Sequence, residues 1–333
     1  MKTTSVKILI GVMITALLFT GCLPQGHSQS LPTDESAPME QAAASQQAAP
    51  AEEIRFTDAL GREVKLEGTP KKAAAVMGSF AQVWLLAGGE LAAVTRDVFQ
   101  EGILPETAEV IDLGTMKAPS VETMLAQGID FVILSAKLEE HVALREQLEQ
   151  AGIPSAYFAV EVFEDYLDML KICTQITGKP ELYEENGTAV QAQIDAAKTM
   201  QEGKEPPTVL FIRAFSTGAK AKGSDNMTGA MLRDMGCINI ADREGSLLED
   251  LSMEVIIRED PDFIFVVTMG ESSEKAIQSL EQSVMSNPAW SQLSAVKNGR
   301  YVVLPKELFH LKPNNRWGES YEMLGQLLYG DAQ

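Results

Sequence analysis

In a chain with 27 lysines and arginines against 47 aspartates and glutamates, residues 211–222, FIRAFSTGAKAK, hold three bases and no acid. The bases are Arg213, Lys220 and Lys222. Arginine presents a rigid fork of N–H donors that matches carboxylates, so this stretch points to an anionic ligand gripped by Arg213, with Lys220 or Lys222 helping. An exposed basic loop without any ligand would read the same way. A second group, Lys312, Arg316 and Trp317, lies just before and at the start of the last apolar segment. A guanidinium beside an aromatic ring can stack on a flat ligand. Trp317 equally suits a core anchor.

Other chemistries find less support. The histidines are His27, His141 and His310, too few outside the N-terminal segment for a three-histidine metal site. Three cysteines, Cys22, Cys173 and Cys237, do not form a disulfide framework, and the last two are expected to be buried free thiols. There is no Gly-x-Ser-x-Gly elbow, phosphate loop or Cys–His pair at a recognisable spacing. Ser224-Asp225-Asn226 has no convincing set of Ser-x-x-Lys and Lys-Thr-Gly partners of the kind a β-lactamase would require. An enzyme, in particular a surface hydrolase, is therefore the weaker reading. A net charge of −20 opposes nucleic acid or an anionic membrane surface as the main partner.

The elements that must position these residues come from periodicity. Within 333 residues, short apolar runs and amphipathic stretches alternate. Strands are expected at residues 73–77, 91–95, 131–134 and 156–160, with helices at 80–87, from Ser120, and at 141–149 and 162–177. The alternation restarts with strands at 208–212, 263–267 and 301–304 and helices at 227–235, 253–258, 274–284 and 317–328. A hairpin at 55–66 precedes the first run. Between the two runs, residues 179–205 read as one long helix: Pro180 suits its first turn, and Val190, Ile194, Ala197 and Met200 form a stripe. Gly203 and Pro206-Pro207 end it, and Gly187 marks the place for a break. The expected fold is α/β: two lobes, each a mostly parallel sheet flanked by helices, joined by one long helix.

In open α/β sheets ligands bind outside the carboxyl ends of the strands, so both lobes would face a shared cleft. Those ends carry Met77, Ser79 and Phe80, then Ser135 to Lys137 and Val160-Glu161, in the first half. In the second they carry Arg213, Met269 and Pro305-Lys306. Met77 and Met269 are either packing residues or soft contacts able to ligate a haem iron.

Residues 1–21 combine Lys2 and Lys7 with an apolar run, ILIGVMITALLF, too short to span a bilayer. The run ends in Phe19-Thr20-Gly21-Cys22 and resembles a bacterial lipoprotein signal, although Phe19 stands where leucine is usual. The resemblance implies that Cys22 is acylated and holds the protein to a membrane by its lipid. Residues 22–53 are rich in Ser, Gln, Ala, Pro and acids, the composition of a disordered tether.

One pattern occurs in both halves: Ser120-Val121-Glu122 leads a helix into Asp130-Phe131, and Ser252-Met253-Glu254 leads one into Asp262-Phe263. Residues 56–62 (FTDALGR), 85–89 (LLAGG), 287–290 (NPAW) and 298–302 (NGRYV) stand in order around it. Together these strings resemble the substrate-binding proteins of bacterial ABC importers for iron–siderophore complexes, haem and cobalamin. The resemblance covers most of residues 54–330. It implies an N-terminal lobe at 54–178, a bridging helix at 179–205 and a C-terminal lobe at 206–333, with small lobe motion. It implies no enzymatic activity and no resident cofactor. The expected ligand is an anionic iron chelate of the siderophore type, with haem or a corrinoid as alternatives, delivered to an ABC permease. Glu122 and Glu254 match the acids that dock on the permease in that family. A pair of helix-start acids favoured by the macrodipole is the plainer account of them. Location outside the cytoplasm, on the cell membrane, follows from the same resemblance.

Overall fold

The computed structural model describes residues 53–330 apart from Glu271. The expected signal segment, Cys22 and the tether lie outside the described residues. Among the described residues no helix is long and apolar enough to cross a membrane.

An antiparallel hairpin, β1 (Ile54–Thr57) and β2 (Glu63–Leu66), opens the body. The first half follows as β3 (Ala73–Ala75), α1 (Gly78–Leu86), β4 (Leu91–Val94), α2 (Asp97–Gln100) and β5 (Ile111–Asp112). A small hairpin, β6 (Gly114–Thr115) and β7 (Ala118–Pro119), precedes α3 (Val121–Ala126) and β8 (Phe131–Ser135). Then come α4 (Glu139–Ala143), α5 (Arg145–Gln150), β9 (Ser155–Phe158) and α6 (Phe163–Thr177). The strands form one parallel sheet in the order β5-β4-β3-β8-β9. Every residue of β3, β8 and β9 is buried, as expected of a sheet covered on both faces.

The bridging segment is helical from α7 (Glu181–Tyr183) through a wide π turn at Glu184–Thr188 to α8 (Ala189–Lys198), closing in a 3₁₀ turn at Thr199–Gln201. The break expected at Gly187 is thus a bulge inside a continuous helix. The loosened turn leaves the Asn186 carbonyl free to accept from the Tyr166 hydroxyl at 2.7 Å. Asn186 Nδ2 donates to Leu86 O at 3.2 Å, tying the turn to the first half.

The second half comprises β10 (Thr208–Phe215), β11 (Gly218–Ala221), α9 (Met227–Asp234), β12 (Ile238–Asn239), α10 (Ile240–Arg243) and α11 (Ser246–Glu249). It continues with α12 (Met253–Glu259), β13 (Phe263–Thr268), α13 (Ser273–Leu280), α14 (Ser294–Lys297), β14 (Tyr301–Val303), α15 (Lys306–Phe309) and α16 (Trp317–Tyr329). The sheet order is β11-β10-β13-β14, with β12 also on β10, and β11 is its one antiparallel member.

The last helix, α16, packs along α8. Gly318 and Gly325, two turns apart, permit the close approach: a Cβ at 325 would meet Met200 Sδ at 2.6 Å, and one at 318 would overlap the Gln193 side chain. The α8 stripe Val190, Ile194 and Ala197 is buried there, as its spacing predicts. One apolar core runs from the first sheet through this stripe into Phe211, Phe265, Trp317 and Tyr321 of the second half. Cys173 and Cys237 are buried free thiols, and burial pushes the Cys237 thiol up to about 12.

Candidate functional site

Strand ends of both sheets converge on a cleft of about 370 Å³. The first half contributes Met77 and Ser79 from the β3–α1 turn, Glu101 from just after α2, Met116 from the β6–β7 tip, and Glu161 from beyond β9. The second half contributes Arg213 from β10, residues 225–227 at the start of α9, and His310, Leu311 and Lys312 after α15. A groove of about 440 Å³ lies instead at the amino ends of β10 and β13. Two of its charged residues are already engaged: Asp262 accepts from Thr208 N–H at 2.8 Å, and Arg300 lies 4.9 Å from the centre of the Phe263 ring.

The first wall is acidic. Gly78 N–H donates to Asp97 Oδ2 at 2.6 Å, placing a carboxylate at the amino end of α1, where the helix dipole favours it. A Cβ at Gly78 would lie 2.5 Å from Glu101 Oε2 and 3.3 Å from Asp97 Oδ2, so the two carboxyl groups crowd one point. Burial, and then the Asp97 charge, push Glu101 up to about 7, against the pull of Lys306. Ser79 Oγ is buried without a hydrogen-bond partner. Met116 is held by His141, whose Nε2 lies 2.8 Å from Met116 O while Nδ1 accepts from Ser135 N–H at 3.0 Å. That arrangement fits a neutral imidazole, and burial lowers its pKa accordingly.

The second wall is basic. Arg213 is half-buried, and its Nε finds no acceptor. Burial lowers its pKa and Asp225 opposes that effect, yet a guanidinium keeps its charge. Lys312 is lowered by burial, with Glu161 and Asp165 opposing and Arg213 and Lys137 adding to it. His310 is pushed down to about 4 by burial and then by Arg213, Lys306 and Lys312, so it is neutral near pH 7. Its buried Nδ1 has no partner.

Of the ligand residues expected from sequence, Met77, Ser79 and Arg213 line the cleft, and Lys312 joins them. Phe80 is one helical step beyond Ser79, so it turns into the core and packs edge-on to Phe158 at 6.3 Å. Trp317 is also core, edge-on to Phe163 at 5.9 Å. Arg316 is held by Glu319 through bonds of 2.7 and 2.9 Å. The stretch read as a basic loop is instead a hairpin pairing Arg213 with Lys220. Lys220 is exposed, and neither it, Lys222 nor Met269 lines the cleft. Sequence reasoning missed Glu101, Met116, Met227 and His310 as site residues. Asn226 carried a usable signal, because it caps α9 by accepting from Gly229 N–H at 3.3 Å.

Glu122 and Glu254 lie away from the cleft, each exposed in the first turn of α3 and α12.

A family described as periplasmic binding proteins matches residues 74–308. No curated protein matches the chain. Among solved structures, the periplasmic heme-binding protein RhuT from Roseiflexus sp. RS-1 is 22% identical over 80% of this chain and 100% of its own, with a TM-score of 0.62. The siderophore-binding protein BauB, bound to two acinetobactin molecules and ferric iron, is 18% identical over 83% of this chain and 99% of its own, with a TM-score of 0.66. Staphylococcus aureus SirA, complexed with staphyloferrin B, is 18% identical over 83% and 97%, with a TM-score of 0.64. At these identities the likeness is one of fold.

Proposed function

The chain belongs to the periplasmic binding protein family, and from that premise we propose that it captures an anionic iron chelate of the siderophore type between its lobes. It then delivers the chelate to an ABC permease while held to the membrane by lipid on Cys22. The observation carrying this reading is the second wall, where Arg213 and Lys312 enter the cleft half-buried and Arg213 Nε has no protein acceptor. A buried guanidinium N–H without an acceptor is costly, and a carboxylate-, catecholate- or hydroxamate-rich chelate supplies the missing acceptor. The solved relatives that bind siderophores are consistent with that ligand class.

One observation favours haem as a second reading. Met77, Met116 and Met227 line a cleft to which His310, with its unpartnered Nδ1, also contributes. Thioether and imidazole are the axial donors a haem iron takes. Titration of the lipid-free chain from residue 23 with ferric hydroxamate, catecholate and citrate complexes, haemin and cobalamin distinguishes these, read by quenching of Trp84, Trp290 and Trp317. A response to a ferric chelate supports the first reading, and a Soret shift with haemin alone supports the second. Silence toward all of them removes both.

Docking on the permease is assigned to Glu122 and Glu254. Their exposure and matching helical positions support it. Glu122→Lys with Glu254→Lys is expected to abolish uptake and leave chelate affinity unchanged. A loss of affinity would count against the assignment.

A further inference from the structure

The two docking helices agree at more positions than the glutamates. Ser120 caps α3 by accepting from Thr123 N–H at 3.1 Å, and Ser252 caps α12 by accepting from Val255 N–H at 3.5 Å. Four residues past each cap, Met124 and Ile256 are fully buried. Ten residues past it, Asp130 accepts from Lys71 and Lys72 N–H at 2.9 Å beside β3, and Asp262 accepts from Thr208 N–H at 2.8 Å at β10. The intervening fifth position holds Leu125 in one half and Ile257 in the other. These are the two most exposed large apolar side chains among the described residues, at 56% and 45%. Each follows its glutamate by three residues and so shares its helical face.

The core does not require them, because Met124 and Ile256 already fill it. A single exposed aliphatic residue is ordinary, but the same register in both halves, beside an acid each time, is a pattern. Arg258, next to Ile257, is held by Glu244 at 2.8 Å and Glu259 at 3.3 Å, so the Glu254 face stays acidic. We infer that Leu125 and Ile257 are apolar anchors of the permease-docking surface, each meeting an apolar socket beside a basic residue on the importer's membrane-spanning subunit. This rests on the reading of Glu122 and Glu254 as docking acids. The division of labour follows from physics: exposed charges steer and orient an encounter, while buried aliphatic area holds it.

The test places p-benzoylphenylalanine at position 125, 257 or 303 of the full-length chain in its native cell. Val303 is a comparably exposed control at 44%. Irradiation is expected to give adducts from 125 and 257 in which mass spectrometry finds a multi-span permease subunit, with none from 303. Missing adducts at 125 and 257, or equal yield from 303, would overturn the inference. The second arm is Leu125→Ser with Ile257→Ser, checked for an unchanged melting temperature. Uptake of a radioactive ferric chelate is expected to fall about tenfold or more at unchanged chelate affinity; wild-type uptake would sink the anchors. If adducts are absent while Glu122→Lys with Glu254→Lys still blocks uptake, only the anchors fail. If the acids are also dispensable, the docking reading fails. Absence of chelate binding strikes the ligand reading and leaves the adducts standing.

Discussion

The two walls of the cleft are built from equivalent strand ends and carry opposite chemistry. On the first wall two carboxyl groups crowd Gly78, and one of them holds its proton to about pH 7. On the second, burial and then the neighbouring cations keep an imidazole neutral down to about pH 4. Under the proposed function, an anionic group of the ligand would meet Arg213 and Lys312, whereas the part facing Glu101 would accept a proton or tolerate a negative charge.

The largest effect is expected from emptying the second wall. Arg213→Ala with Lys312→Ala removes two charge-assisted contacts worth about 1.5–3 kcal/mol each, so chelate affinity falls by more than about 100-fold. Fluorescence titration reads this, and an unchanged dissociation constant would dismiss the basic wall as the ligand's partner. A smaller effect comes from the first wall. Glu101→Gln is expected to raise affinity for an anionic chelate several-fold at pH 8 and leave it unchanged at pH 5.5, where Glu101 is already neutral.

Stability sharpens the same comparison. The folded-state pKa of Glu101 is raised, so the native state binds more protons than the unfolded chain between about pH 4.5 and 7, and stability falls as pH rises through that window. The loss is roughly 2 kcal/mol after discounting the exposed part of the carboxyl. His310 has the opposite sign: its pKa is depressed, so stability is lost as pH falls from about 6.5 through 4. Melting curves across pH for Glu101→Gln and His310→Gln should each lose one of the two slopes, and parallel curves would refute the assignment. Ser79→Ala is expected to have the smallest effect. Its hydroxyl has no protein partner, so stability should stay within about 0.5 kcal/mol, while chelate affinity drops less than about tenfold.

Most of the sheet was legible because buried parallel strands such as residues 131–135 and 263–268 are continuous apolar runs. β11 was not: Gly218-Ala219-Lys220-Ala221 lacks the branched and aromatic residues that mark strands, and its pairing comes from the neighbouring β10. Arg213 could be picked out because a local excess of positive charge is visible in so acidic a chain. His310, Met116 and Glu101 could not, since each sits on a short or irregular segment whose approach to the cleft depends on the packing of distant elements. Phe80 and Trp317 were placed at the site by proximity in sequence, and helical phase turned both into the core.

The apolar core shared by both halves also governs how the molecule comes apart. Val190, Ile194 and Ala197 of α8 are covered by the chain's final helix, so neither half is complete without the other. Unfolding in urea should therefore be a single cooperative transition, with the same midpoint reported by Trp84 in the first sheet's core and Trp290 in the second's. An excised fragment ending near residue 205 would expose that stripe to water and aggregate, which makes the receptor one folding unit despite its two sheets.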